Sequence, residues 1–422
     1  MMARVHIIGA GLAGLSAAVE LSPGAEISLY EAAPQAGGRC RSYFDSSLNM
    51  TIDNGNHLLL SGNASALAYA KKIGGEAKLA GPDEATFDFC DLARNRRWTL
   101  RPNAGKLPWW ILMPDRRVPN TAGLDYLALV RLLFAKPDQL LRPVLGTGEI
   151  ARNLWDPLFI SALNTDPAEA SAALAGAIVR ETFAEGGDAC RPLVAVEGLS
   201  AAFIDPALDF LRARGADIRF GAKLRAITFE GDRATALDFG EDVVTLAPED
   251  KIVLAVTAPV ASALLPGLKA PDEFRAIVNA HFAYPAPKNM PLLTGVIGGA
   301  SEWLFGFSDR LSVTISAAER FLATSREELA DMIWAEVQAV AGFSAPLPAW
   351  QIIKEKRATF AATPKQDALR PGAGTQWRNL ALAGDWTQTG LPATIEGAIR
   401  SGVAAARLCA DRSFSTASAP GQ

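Results

Sequence analysis

The chain has 422 residues, 49% hydrophobic and 20% charged, with a net charge of −4 and a mean hydropathy of +0.13. It is long enough for two domains around large cores; its charge, without a basic run, excludes ordinary nucleic-acid binding, and the absence of eighteen consecutive apolar residues excludes a membrane-spanning helix. Cys40, Cys90, Cys190 and Cys409 stand far apart and only three histidines occur, so no disulfide framework, dithiol redox pair or metal site is expected, and the cytoplasm is the natural compartment.

In chain order, residues 4–8 read as a short strand, followed by glycines and an Ala/Leu-rich helix to about Leu21, then a second strand at 26–30. No leader pattern precedes this βαβ opening, so it reads as mature structure. From about 98 to 148 aromatics and prolines alternate with apolar helical stretches such as 124–134. Within it, Leu107-Pro-Trp109-Trp110-Ile-Leu-Met113 beside Arg116 and Arg117 predicts either contact with a membrane surface or a wall of the cavity or domain interface. Regular structure resumes at 191–265, with a helix near 201–214 and strands near 217–220, 223–229, 234–239 and 251–256. A separate block at 291–341 offers strands near 292–297, 303–307 and 311–316. The helix after them opens on a capping box, Ser325 to Glu328. A strand at 379–383, a loop and a small-residue helix from about 392 to 407 close the chain. The expected fold is α/β, a Rossmann-like nucleotide-binding domain with an inserted α+β substrate domain. The first domain is assigned 1–95, 190–265 and 370–412, the second 96–189 and 266–369. The Ser/Ala/Pro-rich tail 413–422 is expected to be disordered.

Gly9-Ala-Gly11-Leu12-Ala13-Gly14 lies between the first strand and helix, the context that makes GxGxxG informative. Gly9 serves the tight turn, Gly11 the approach of a pyrophosphate, and Gly14 the packing of helix on strand. Glu31, followed by Ala32, ends the second strand, where a carboxylate takes ribose hydroxyls and repels a 2′-phosphate. Two further features favour FAD over NAD. Gly37-Gly38-Arg39, with Arg41, suits a second approach to the pyrophosphate through paired guanidinium N–H groups. Near the other end, Ala381-Leu-Ala-Gly384-Asp385 ends a strand in the flavoprotein manner. The helix after it, opening near Thr394 and Ile395, can aim its positive end at a reduced flavin. Gly146-Thr-Gly148 lacks a matching context, so no second nucleotide site is expected. Electrons then pass by direct hydride exchange, through a partner reductant, or to oxygen.

These motifs resemble the amine oxidase/phytoene desaturase superfamily of flavoproteins. The segments 53–60 (Asp53-Asn54-Gly55-Asn56-His57-Leu-Leu-Leu), 154–165, 355–364 and 384–397 are similar to its squalene-associated desaturase-like branch, the bacterial hydroxysqualene dehydroxylases, over nearly the whole chain. The resemblance implies that reduced FAD removes the hydroxyl of hydroxysqualene to give squalene for hopanoid or related triterpenoid synthesis. It implies an apolar isoprenoid in a dry tunnel, an unidentified reductant, and a site on or near the inner membrane face. It also implies cofactor contacts at Asn54, Gly55, Asn56, His57 and Leu224.

The acid that assists hydroxide loss is open at this level. His57 is the one histidine in a branch-matching motif, and it suits either proton donation or orientation of the adjacent loop. Asn164 and Arg357 are polar pocket candidates, Arg357 equally suiting a structural ion pair. Trp155 and Trp386 suit packing, with Trp386 placed to border the flavin. The rival readings on the same fold are a carotenoid or polyene desaturase and an amine oxidase. A lipid escort without flavin chemistry fits less well, because Gly9, Gly11, Gly14, Glu31, Arg39 and Asp385 are all present.

Overall fold

A computed structural model describes residues 4–411, so the tail 413–422 lies outside the described residues. Five short strands from four distant stretches of chain, all but the exposed edge strand Asp217–Phe220 apolar runs, make one parallel sheet, in the order Asp217–Phe220, Glu26–Glu31, Arg4–Ile8, Lys251–Leu254, Leu380–Leu382. Burial on both faces is what such runs require. Val5 and Ile7 pack against the helices Leu12–Leu21, Ala64–Ile73, Asp205–Arg212 and Ile395–Ala410. Ile8, Ile252 and Leu254 face the other way, toward a three-stranded meander at 226–245.

The second sheet has seven strands, ordered Trp350–Phe360, Phe274–Phe282, Leu311–Ile315, Trp303–Gly306, Leu293–Ile297, Phe87–Asp91, Arg96–Leu100. All neighbours are antiparallel except Leu293–Ile297 with Phe87–Asp91. The helix Arg326–Ala341 covers one face, packing Ile333, Trp334 and Val337 on Val278, Phe282 and Val313. Its predicted capping box forms: Ser325 Oγ accepts from the Glu328 amide and the Glu328 carboxylate from the Ser325 amide, each at 3.1 Å. The opposite face presents Phe89, Trp303 and Phe305 to the inserted helical stretch carrying Leu132, Trp155 and Phe159.

One expected boundary is corrected. Phe87–Asp91 falls inside the segment assigned to nucleotide binding, yet it pairs with 294–297 in the second sheet, and its hairpin with Arg96–Leu100 straddles residue 95. The parallel partner lies about two hundred residues away, beyond the reach of any local pattern. Among the described residues no helix is long and apolar enough to cross a membrane.

Candidate functional site

The glycine turn after Arg4–Ile8 is shaped by what its neighbours leave room for. Gly9 has φ +105°, and a Cβ there would lie 2.4 Å from Ala255 O; one on Gly14 would lie 1.8 Å from Gly9 O. Gly11 has nothing within 4 Å of a Cβ position, so its side of the turn is open. The second glycine turn stands beside it: Gly37 donates to Ala10 O at 2.8 Å, and Gly11 and Gly37 form an isolated parallel bridge. No side chain caps the first helix and no acid sits in its first turn, so its free amides face this opening. Glu31 is held by the amides of Ala10 and Ala33, each 2.8 Å from one carboxylate oxygen, which leaves lone pairs for hydroxyl donors. The segment leading to buried Leu224 is tied alongside, the Ala222 amide donating to Glu31 O at 2.8 Å and Gly221 to Ala33 O at 3.1 Å.

The other end of the chain completes the cradle. Asp385 is buried and its carboxylate lies 2.7 Å from Arg39 Nη2, while Arg39 Nη1 donates to Ala358 O at 2.5 Å. The Asp385 charge holds the Arg39 guanidinium above its ordinary pKa. Gly384 N–H donates to Ser401 Oγ at 2.8 Å. Thr394 caps the closing helix, accepting from the Gly397 amide at 3.0 Å, and Ile395 is buried at its first turn. That helix crosses the first one so closely that Ser16 Oγ donates to Ile399 O at 3.2 Å. Trp386 is a post under this turn: its indole N–H donates to Val256 O at 2.8 Å, and a Cβ on Gly384 would strike its ring.

The loop 53–57 joins the cradle to the second sheet. Asp53 accepts from Ser42 Oγ at 2.5 Å and the Leu199 amide at 2.9 Å. Asn279, on the strand Phe274–Phe282, accepts from the Asn56 amide at 3.3 Å, donates to Asn54 O at 3.5 Å, and accepts from Thr314 Oγ1 at 2.8 Å. Asn54 Nδ2 reaches Glu355 at 3.5 Å. His57 lies 4.0 Å from Cys40 Sγ; burial, then the Arg39 cation, push its imidazole down to about 4, so it is neutral at ordinary pH. Burial pushes the Cys40 thiol up to about 12, so it is no ready nucleophile.

The other three pocket candidates have different fates. Asn164 spends both ends of its amide structurally, donating to Thr359 Oγ1 at 3.0 Å and accepting from the Ala317 amide at 2.7 Å. Trp155 is fully buried between Tyr126 and Phe159. Arg357 is exposed over the Phe274 ring, and the alternative expectation of a structural ion pair is corrected, since it has no carboxylate partner among the described residues. Its neighbour two places earlier, Glu355, is the charged residue that meets the cradle loop.

Sequence reasoning missed three residues. Arg370 has a side chain with no exposed surface; it donates to Thr387 O, to Asp385 O at 3.3 Å and to Thr389 Oγ1 at 3.0 Å, and pairs with Asp367 at 2.9 Å. It therefore straps the turn that carries Asp385. Asn279 does the same for 54–56. Neither has a local signal. Glu355 did, standing inside a quoted motif. On the apolar side, the indole N–H groups of Trp98, Trp155 and Trp303 are buried without partners in one continuous cluster.

The family model described as flavin containing amine oxidoreductase matches residues 12–410. The chain is 58% identical to the hydroxysqualene dehydroxylase of Rhodopseudomonas palustris over 97% of its length and 98% of that protein. It is 48% identical to that of Zymomonas mobilis over 98% and 100%. Among solved structures, cyclohexylamine oxidase from Brevibacterium oxydans is similar with a TM-score of 0.69, covering 97% of this chain and 99% of that one; at 17% identity this is a likeness of fold alone.

Proposed function

We infer the reaction from one premise: the chain belongs to the flavin-containing amine oxidoreductases and, within them, to the hydroxysqualene dehydroxylases. Its flavin is FAD, and it reductively removes the hydroxyl of hydroxysqualene to give squalene and water. The observation that carries the cofactor reading is the cradle itself: two facing glycine turns, an uncapped helix start and the carboxylate of Glu31, closed by Arg39 paired with Asp385 from the far end of the chain. Gly11, Gly37, Gly38 and the first helix would hold the pyrophosphate, Glu31 the ribose, and Leu224 the adenine side. Arg39, Asp385 and the start of the closing helix at Thr394 and Ile395 would hold the flavin end, with 54–57 at its substrate side.

When bound, the reduced flavin supplies the hydride that replaces the departing hydroxyl. The residues contribute the rest. We assign Glu355, next to Asn54, to protonate the leaving oxygen, so that the carbon–oxygen bond breaks to water as the new carbon–hydrogen bond forms. His57, neutral and half-buried, shapes the loop instead of delivering a proton. The apolar cluster of Phe89, Trp303 and Phe305 with the inserted helices favours a polyprenoid substrate beside the loop. A separate reductant reloads the flavin. Substrate and product are insoluble in water, so we place the enzyme at a membrane surface. The test is an anaerobic single turnover: the photoreduced protein is mixed with hydroxysqualene and followed by flavin absorbance and product analysis. Reoxidation with stoichiometric squalene is expected; flavin that stays reduced would sink the assignment.

A further inference from the structure

The 3-10 turn Trp109–Leu112 and the helix Leu127–Leu133, with its lead-in Gly123–Tyr126, are bound to each other from within. The Trp110 ring meets the Tyr126 ring edge-on at 5.1 Å, and a Cβ on Gly123 would sit 3.3 Å from the Leu112 side chain. Their inward residues, Trp110, Tyr126, Ala128 and Leu132, are buried, as expected of surface elements. Their outward residues are apolar too. Leu107, Leu124 and Phe134 are 79, 77 and 80% exposed, and Leu112, Trp109 and Val130 stand out beside them. Positions 127, 130 and 134 share one side of the helical screw, opposite buried 128 and 132, and Leu124 stands exposed in the lead-in turn before them. A surface helix apolar on both sides has an unpartnered face, and large leucines and phenylalanines grouped on it mark a contact surface.

The charge around this face identifies its occupant. Between residues 101 and 142 there are seven Lys/Arg against three Asp/Glu, a local excess of +4 in a chain whose net charge is −4. Arg116 lies over the Trp109 ring at 5.0 Å, and Arg116, Arg117, Arg131 and Lys136 have no carboxylate partner among the described residues. Apolar side chains rimmed by free cations fit the boundary between acyl chains and anionic headgroups. A protein partner would be expected to add paired polar groups, and a second copy of this chain would set like charges against each other.

We propose that the outward side of 107–134, with Trp109, Leu124 and Phe134 inserted and Arg116 and Arg131 at the headgroups, docks this protein on an anionic lipid bilayer. The proposal deepens, and for its purpose rests on, the reading of a water-insoluble substrate. The test is co-sedimentation of the full-length holoprotein with vesicles of phosphatidylcholine alone, or mixed two to one with phosphatidylglycerol. Wild type is expected to sediment with the mixed vesicles, less at high salt, and weakly with the neutral ones. Leu124→Ser/Phe134→Ser should melt at the wild-type temperature, remain as monomeric or oligomeric as wild type, and bind mixed vesicles about tenfold or more weakly. Binding that the double substitution leaves unchanged, no wild-type binding to either vesicle, or a wild-type dimer that the substitution splits without lipid would each overturn the proposal. Turnover of detergent-dispersed hydroxysqualene separates the two readings: if wild type binds vesicles but never reoxidises its flavin on that substrate, the reaction fails and the docking face stands.

Discussion

Gly402 lies where the closing helix packs tightly on the first one, and replacing it by alanine tests whether the cradle depends on that approach. In an isolated exposed helix the change would stabilise by about 1 kcal/mol, through helix propensity. Here a Cβ would lie 2.0 Å from Ser16 Oγ, 2.2 Å from Ala13 O and 2.9 Å from Ala17 N. Ser16 can rotate away, at the cost of its hydrogen bond to Ile399 O, a net contribution of about 1 kcal/mol. Ala13 O cannot, being backbone within the first helix. Ordinary contact begins at 3.4 Å, so the helices must part by about an ångström. Overpacking of that kind costs about 1–3 kcal/mol, which outweighs the propensity gain once the lost hydrogen bond is added.

The displacement reaches the cofactor because Ser401, the preceding residue, accepts the Gly384 amide, and the next residue after that turn glycine, Asp385, is the partner of Arg39. Gly402→Ala is therefore expected to lower the melting temperature by several degrees and to purify with a reduced ratio of flavin to protein. Both are read directly, by scanning calorimetry and by absorbance against total protein. A variant that melts at or above wild type with full flavin occupancy would refute the reasoning, since it would show that helix propensity outweighs the contact.

Arg370→Met should raise the dissociation constant for the flavin at least tenfold and cost roughly 3–5 kcal/mol of stability, because it leaves Asp367 and three acceptors, two of them buried, without their donor; unchanged flavin titration would remove the strap from the account. Glu355→Gln should keep full flavin content yet slow single-turnover squalene formation by about 10²- to 10⁴-fold, with Glu355→Asp partly restored; an unaltered single-turnover rate would dismiss it as the proton donor. Glu302 tests a pH effect on stability. Burial pushes its carboxyl up to about 7, against Ser316 N–H at 2.6 Å and Arg320 at 3.7 Å. Its stabilising contribution is whole below about 4.5 and is lost as pH rises through about 7, so Glu302→Gln should gain on wild type by about 2–3 kcal/mol between pH 5 and pH 8, measured by urea unfolding. A difference that does not change with pH would mean the carboxyl is ionised throughout.

What could be read in the sequence divides by the range of the interaction that places each residue. The first glycine turn is local: strand, turn and helix are contiguous, each glycine answers to backbone within a few ångströms, and the Glu31 carboxylate is caught by amides of Ala10 and Ala33. Gly384-Asp385 was legible for the same reason, as a turn between a strand and a helix. The side we assign to the substrate is placed by register between distant strands. Simple alternation along Trp350–Phe360 would put 355, 357 and 359 on one face. The register shifts opposite Arg275–Ile277, pairing Ile277 with Glu355 but Arg275 with Thr359, so Arg357 is left outside the ladder over Phe274 while Glu355 turns to Asn54. Nothing near residue 357 signals that irregularity; it is settled across the sheet. Arg370 is hidden in the same way, its acceptors lying 15 to 19 residues downstream in a turn whose shape exists only once the closing helix has docked. In the function we propose, the dinucleotide would be gripped largely by backbone and by turns, which sequence spells out, whereas the polyprenoid would meet side chains presented by packed sheets and helices. A chain of this kind therefore discloses its cofactor before its substrate, and the residues that most need testing are those, like Glu355, whose direction a single bulge decides.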